Sequence, residues 1–475
     1  MLNPCDASFV RQLASGLPEG MLGAPEARYL DEPRGRWTGQ AGAVARPSRT
    51  VEVARILAAC NAGRVGILPW GGGTGLVGGQ IMPQGPAPLI LSLERMTALR
   101  GSYPDENALV VEAGMILADV QAAAERIGRL FPLWLASEGS ALIGGNLATN
   151  AGGTAVLRYG NARDLCLGIE AVLADGTVFN GLTRLRKDNA GYDLRHLLIG
   201  SEGTLGVITA AALRLFPQPA ARVVAYLAVA SPAAALDLLG LAQDRIGGFV
   251  SSFELIHRTG FDFITETMPD VPRPPLDPVP EWLVLLELGL PPLIEPEATM
   301  AALYDAGARA GLVSDGVIAG SKAQAAGLWR LRELIPEANR RIGAVSSHDI
   351  SLPLSAIPGF ITDAPRAIAP FGDFRVNCFG HLGDGNLHWN VFPAQGVDRN
   401  VHDAVRGGLK AAVHDLVHAL GGSVAAEHGV GRLKTGDLLR YGDPGKLAAM
   451  RAIKAALDPQ GILNPGAVLA GAVPA

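Results

Sequence analysis

The chain has 475 residues, enough for roughly two to four domains and for a core that needs no disulfide or metal staple. Lys and Arg number 40 against 45 Asp and Glu, a formal charge of −5 that offers no footprint for a polyanion and argues against nucleic acid as a partner. A charged fraction of 18% beside a hydrophobic fraction of 48% argues against disorder. Glycine and proline make up about a fifth of the chain with no collagen period, against about 12% in an ordinary domain, which implies tight turns and close backbone approaches.

The first 45 residues read as irregular. Thr50 to Ala62 then predicts a helix with Ser48 or Thr50 as N-cap and Gly63 as its stop. Short apolar runs at Val65–Pro69, Pro88–Leu93 and Ala108–Ala113 precede a helical stretch, Leu117–Ile127. Asp175-Gly176 signals a hairpin between Gly168–Leu173 and Thr177–Phe179, and Thr204–Phe216 is a further apolar run. Beyond Pro219, Ala-rich helical stretches alternate with apolar runs such as Trp282–Leu288, and a helix at Leu447–Leu457 precedes the C-terminal segment. Strands and helices mix without strict alternation, so the expected class is α+β rather than a doubly wound sheet. The expected domains are 1–218, 219–440 and a C-terminal segment, 441–475.

The four cysteines, Cys5, Cys60, Cys166 and Cys378, form no CxxC pair. MLNPCDASFV has neither a basic n-region nor an apolar h-region, so a cytoplasmic protein is expected. The longest apolar stretch, Val223 to Ala242, is broken by Pro232 and Asp237 and does not read as a membrane span.

Pro69-Trp70-Gly71-Gly72-Gly73-Thr74-Gly75-Leu76-Val77-Gly78-Gly79 is the densest signal in the first half. Gly73, Gly75 and Gly78 match a dinucleotide GxGxxG, but Pro83, Pro86 and Pro88 forbid the helix that must follow it. No Gly-Lys-Ser/Thr completes a Walker loop either. What remains is a run of unhindered backbone N–H groups able to cradle phosphate, or a glycine-rich turn with no ligand. Two more glycine-dense loops, Gly144–Gly153 and Asn189–Gly206, carry small polar side chains, and three such loops fit a long ligand lying against backbone.

The segments PWGGGTGLVGG, IGGNLATNAGG, KDNAGYDLRHLLIGSEGTLGVIT and ILNPG occur in this order, and the chain from about residue 40 to 467 resembles the FAD-linked D-2-hydroxy-acid dehydrogenases of the vanillyl-alcohol-oxidase flavoprotein family. The resemblance implies a two-subdomain FAD-binding unit, an α+β cap domain over the flavin and a C-terminal tail returning to the cofactor. By motif it implies that Pro69 and the loop Gly71, Gly72, Gly73, Thr74, Gly75, Leu76 hold the pyrophosphate, and that Gly139, Ser140, Gly144, Gly145, Thr149, Gly152 and Gly153 line the cofactor. Glu202, Gly203 and Ile208 are implied on the adenosine side and Asn464 near the flavin ring. No histidine precedes His196, so a histidyl link in those N-terminal segments is unavailable and FAD is expected to be non-covalent.

Six of the nine histidines lie between residues 381 and 428. His414 and His418 stand at i, i+4 in a helix predicted from about Val401 to Leu420, but the motif His-Asp-Leu-Val-His lacks a zincin glutamate. Val405, Leu409, Val413, Leu416 and Leu420 predict the buried face, with both histidines pointing away from it. His381 and His388 flank Leu382-Gly383-Asp384-Gly385-Asn386, and a hairpin there would set the imidazoles nearly opposite each other, with Asn390 on the face of His388. Glu427-His428 adds a carboxylate and a third imidazole between Ala426 and Gly429. His/His/Glu is a donor set of the kind Zn²⁺ takes in open catalytic sites, and is equally readable from spacing as a hydrogen-bonded polar cluster.

The same resemblance, through FGHLGDGNLHWNV and AAEHGVGRLK, implies His381, His388 and Glu427 as ligands of a divalent metal, zinc first, and His428 as catalytic base. It implies substrate contacts from Asn390 and Arg332, the latter a guanidinium suited to planar, bidentate recognition of a carboxylate. The expected reaction is oxidation of a D-2-hydroxy acid to the 2-oxo acid, with electrons passed to an electron-transfer flavoprotein, quinone or cytochrome. A homodimer is the base-rate expectation. Another FAD oxidase acting on an alcohol, a metallohydrolase and a non-catalytic flavin- or metal-binding subunit are the rival readings. Departures from the hydroxyglutarate pattern, Pro336 in place of a hydroxyl residue and Ser347 in place of a lysine, predict a monocarboxylate such as D-lactate ahead of D-2-hydroxyglutarate.

Overall fold

The structure is a computed structural model describing residues 1–469. It falls into two units, one of residues 1–152, 160–218 and the chain from Glu427 onward, the other of residues 153–159 and 219–426. The chain thus re-enters the first unit at Glu427, earlier than the expected residue 441. The cause is local: the Glu202 carboxylate accepts hydrogen bonds from Val430 N and Gly431 N, each at 2.8 Å, and Val77 O accepts from Arg432 N and Leu433 N.

In the first unit, β1 (Leu22–Gly23), β2 (Ala43–Ala45), β3 (Ile67–Trp70) and β4 (Leu89–Ser92) form a sheet in the order β1-β2-β4-β3, parallel across β2, β4 and β3. The helix Thr50–Gly63 lays Val53, Ile56, Leu57 and Cys60 against Ala43, Ala45, Ile67, Leu89 and Leu91. Ile462 and Leu463 complete this core, with Ile67 N donating to Ile462 O and Asn464 N to Ile67 O. The segment before residue 45 is less irregular than expected. Asp6 caps a helix, Ala7–Ala14, by accepting from Phe9 N, and Leu13 joins the same core.

β5 (Leu99–Tyr103), β6 (Ala108–Glu112), β8 (Cys166–Val172), β9 (Val178–Gly181) and β10 (Val207–Arg214) make an antiparallel sheet in the order β5-β6-β10-β8-β9. Gly176, at φ +88°, turns the predicted β8–β9 hairpin. β7 (Arg129–Leu130) pairs with β11 (Phe216–Pro217). The segment Ile143–Thr149, read as a glycine loop, is a helix. Gly144 there donates to Ala113 O at 2.8 Å, and a Cβ on it would lie 2.7 Å from the Ala113 Cβ, so close packing sets the glycine and overrides its weak helix propensity.

The second unit is a seven-stranded antiparallel sheet of β12 (Ala221–Val229), β13 (Val250–His257), β14 (Trp282–Leu290), β15 (Val313–Ile318), β16 (Ser346–Ser351), β17 (Phe374–His381) and β18 (Asn386–Pro393), ordered β15-β12-β14-β13-β17-β18-β16. Helices Thr259–Thr267 and Lys322–Ile342 cover one face through Phe261, Phe263, Leu328, Leu331 and Ile335 packed on Ile256, Phe379 and Phe392. On the other face Trp389 meets Phe360 of the helix Ile357–Ile368 at 5.9 Å between ring centroids. His414, expected on the solvent face, is buried there, its ring 5.1 Å from that of His348. The helix carrying it, Arg406–Ala419, packs against both the helix Ile357–Ile368 and β16, so its buried arc is wider than one apolar stripe. His418 is exposed as expected.

Candidate functional site

The first unit encloses a cavity of about 470 Å³, within the size range of cofactor pockets. Its wall includes Pro69, Gly71 to Leu76, Gly144, Gly145, Thr149 and Gly152, together with Glu202, Gly203, Ile208 and Asn464. Gly139, Ser140 and Gly153 are not on this wall. The 71–80 segment is a loop, as its prolines require, with Gly73 and Gly78 at φ +72° and +70°. Gln80 Nε2 ties it by donating to Gly75 O at 2.7 Å, and Arg432 Nη1 donates to Gly78 O and Gly79 O at 3.1 Å. A Cβ on Gly72 would sit 2.1 Å from Ser140 O, so protein backbone alone requires that glycine. Gly71 and Gly145 are different: a Cβ on Gly145 would meet only Gly71 Cα, at 4.0 Å, and one on Gly71 only the Gly145 backbone and Leu142 Cβ, at 3.5 Å or more, and both residues line the cavity. Such a side-chain-free wall fits the close backbone approach of a pyrophosphate.

Two predicted residues are committed internally. Glu202 holds a left-handed φ of +52° and spends its carboxylate on Val430 N and Gly431 N. Burial pushes its carboxyl pKa up, against the pull of those N–H groups and of Lys434 and Arg432. Asn464 Nδ2 donates to Gly79 O and Glu202 O, and its Oδ1 accepts from Arg432 Nη2 at 3.0 Å. Both residues brace the cavity. Glu427 and His428 also line it, with His428 Nε2 3.5 Å from Glu427 Oε1. Gln80 and Arg432 went unnoticed in the sequence, where an isolated amide and an arginine past the Gly-Val-Gly turn carry no local signal.

In the second unit the predicted hairpin forms, but Phe379 rather than His381 faces His388. The turn centres one residue earlier than assumed, which offsets the two imidazoles by two positions and so leaves them on one face. Their ring centroids are 5.7 Å apart at 82°. Register places Asn390 opposite Ser347 and His388 opposite Asp349, so all four share that face. Asp349 is buried, its Oδ1 accepting from Asn386 Nδ2 at 3.1 Å.

Glu254, missed in the sequence, sits across from His381 in β13. It is fully buried; Oε1 lies 2.6 Å from His381 Nδ1, and Oε2 lies 2.8 Å from Arg332 Nε and 2.6 Å from Nη2. Burial would raise its carboxyl, but the contacts with His381 and Arg332 hold it well down, at about 2. The signal was a single acidic residue in an otherwise uncharged strand, Val-Ser-Ser-Phe-Glu-Leu-Ile-His. Arg332 is therefore no unengaged bidentate fork. Its Nε donates to Glu254 and its Nη2 makes only the ion-pair contact, while Nη1 makes no hydrogen bond among the described residues. With a carboxylate at His381 Nδ1, the imidazole lone pair is set at Nε2, the ordinary arrangement of a metal-binding histidine. The donor chemistry of His381 and His388 thus fits a borderline divalent cation.

Residues 41–181 match the FAD binding domain family and residues 218–468 the family of FAD linked oxidases, C-terminal domain. The chain is 38% identical to the mitochondrial D-2-hydroxyglutarate dehydrogenase of Bos taurus, covering 94% of this chain and 81% of that protein. It is 37% identical to the D-2-hydroxyglutarate dehydrogenase of Xanthomonas citri pv. viticola, over 91% of this chain and 90% of the relative. Among solved structures, p-cresol methylhydroxylase superposes with a TM-score of 0.77 at 15% identity, covering 98% and 96% of the two chains, a likeness of fold. The chain belongs to the FAD-linked D-2-hydroxy-acid dehydrogenases.

Proposed function

We propose that the protein oxidises a small D-2-hydroxy acid to the 2-oxo acid, with non-covalent FAD and a divalent cation, zinc first, taken by His381, His388 and Glu427. The observation that carries this reading is that His428 and Glu427 open onto the glycine-walled cavity that fits FAD. FAD, when bound, supplies the hydride acceptor, and the cation supplies Lewis acidity toward a hydroxy-acid oxygen. His428 accepts the hydroxyl proton as the C2 hydrogen leaves as hydride. Arg332 offers Nη1 to the substrate carboxylate, and Asn390 orients the hydroxy acid from the same sheet face. Gly71–Leu76 and Gly145 receive the pyrophosphate, Gly203 and Ile208 the adenosine side, and Asn464 frames the flavin ring. Four buried cysteines, free of disulfides, support a cytoplasmic location. No described helix is long and apolar enough to cross a membrane. Electrons then pass to a separate acceptor.

For the substrate tail, positions 336 and 347 support the reading. Ser347 is exposed on the site face opposite Asn390, and Pro336 follows Arg332 by one helical turn. Neither offers a cation, and a desolvated second carboxylate without one costs several kcal/mol, on the order of a buried unpaired charge. This favours a monocarboxylate such as D-lactate. The relatives' names favour D-2-hydroxyglutarate as the second reading. Purified protein is expected to be yellow and to bleach anaerobically with D- but not L-2-hydroxy acids. Colourless protein, or a flavin that no D-2-hydroxy acid reduces, overturns the proposal.

A further inference from the structure

Glu254 is a fully buried carboxylate that touches two of the proposed site residues directly, His381 through one oxygen and Arg332 through the other. We infer that it is a positioning residue serving both halves of the site, locking the His381 tautomer through one oxygen and the Arg332 guanidinium through the other. The inference rests on the metal reading proposed above.

The geometry leaves little slack. Glu254 stands in β13, beside β17 and opposite His381, with no exposed surface. A carboxylate is an acceptor only, so the 2.6 Å contact to His381 Nδ1 requires hydrogen on Nδ1 and puts the lone pair on Nε2. The same group holds Arg332 from its Nε and Nη2 side, which turns the remaining Nη1 donor away from the ion pair. Arg332 is further fixed over the Phe379 ring, 5.0 Å from its centroid, two residues before His381 on the same strand. One side chain therefore sets the aim of a metal ligand and of a substrate donor. An amide at this position meets both partners with mismatched donors: if its oxygen accepts from His381, its NH₂ faces the guanidinium. If flipped, the NH₂ demands the opposite imidazole tautomer and removes the lone pair from Nε2.

The test uses flavin-loaded protein stripped of metal, with the Zn²⁺ dissociation constant measured by competition against a chromophoric chelator. Glu254→Gln is expected to weaken Zn²⁺ binding about 10- to 100-fold, the usual effect of losing a ligand's supporting partner, and to raise KM for the D-2-hydroxy acid. Should that variant fail to fold, the pair Glu254→Met with Arg332→Met removes the buried ion pair without leaving either charge alone, a change that cores commonly tolerate. Its Zn²⁺ affinity should fall by the same factor while FAD content stays at the wild-type level, which a merely structural role would not produce. Wild-type Zn²⁺ affinity in a folded variant overturns the inference and leaves the metal reading standing. A wild-type protein that takes up no Zn²⁺ overturns both.

Discussion

Gly145→Ala separates what the fold needs from what the cofactor needs. Gly145 lies inside the helix Ile143–Thr149 without a positive φ, and a Cβ there would meet only Gly71 Cα, at 4.0 Å. For the protein alone the change is favourable, because Ala exceeds Gly by about 1 kcal/mol in a helix interior. In a chain of this size, that raises the Tm of flavin-free protein by about 1–2 °C. For the cofactor it is unfavourable, since the methyl group projects into the cavity that backbone leaves open. Overfilling a packed contact by one methyl costs about 1–3 kcal/mol. FAD affinity should then fall about 5- to 150-fold. Two measurements on one variant decide it: Tm of the flavin-free protein, and the FAD dissociation constant on reconstitution. Wild-type FAD affinity would remove Gly145 from the cofactor wall. A lowered Tm would refute the packing reasoning. Gly73→Val is a poorer probe: at φ +72°, with a Cβ 2.8 Å from Trp70 Cζ2, it would lose FAD by disturbing the loop itself.

Exhaustive chelation should lower kcat and leave FAD bound, and Zn²⁺, Mn²⁺ or Co²⁺ should restore it; full activity in metal-free protein, checked by elemental analysis, rejects the metal. His428→Asn should lower kcat by about 10²- to 10⁴-fold, the worth of a positioned base, with FAD content unchanged. Flavin loss in that variant would assign His428 to the cofactor instead. Ser347→Lys should raise the ratio of kcat/KM for D-2-hydroxyglutarate over D-lactate by about 10- to 150-fold, from about 1.5–3 kcal/mol for a charge-assisted bond to the second carboxylate. An unchanged ratio would show that another group already serves that carboxylate.

The glycine loop and the histidine hairpin were legible because each carries its own local chemistry: prolines that forbid a helix after Gly78, and turn residues between two extended runs. What escaped depends on contacts distant in sequence. Ile143–Thr149 is helical because Ile143 N and Gly144 N donate to Met115 O and Ala113 O, a context that no helix propensity for Gly-Gly-Asn reports. His414 is buried because its helix has two neighbours, whereas an apolar stripe reports only one. Glu254 lies more than 120 residues from His381, so spacing could not pair them, although its charge inside a buried strand already marked it.

Buried polarity by itself does not mark a site, and the first unit shows the alternative. Lys454 Nζ donates to Thr204 O and Leu463 O and pairs with Asp458, whose oxygens accept from Ile462 N and Leu463 N. Apart from the Lys454–Asp458 pair itself, the partners in that cluster are backbone groups. Its work ends with the C-terminal segment fastened to β3. Around Glu254 the partners are side chains. Satisfying them sets an orientation that no packing requirement explains: an imidazole lone pair placed on Nε2, and an Arg332 Nη1 donor without a protein acceptor among the described residues. Burying a carboxylate and a guanidinium to arrange that surplus is costly for folding and adds little for the strand, which an apolar residue would fill as well. Such violations of the strand's apolar pattern are expected where chemistry rather than stability fixes the residue. By that criterion the proposed function belongs on the sheet face bearing His381, His388, Asn390 and Ser347, and the polar network beneath Asn464 braces the cavity.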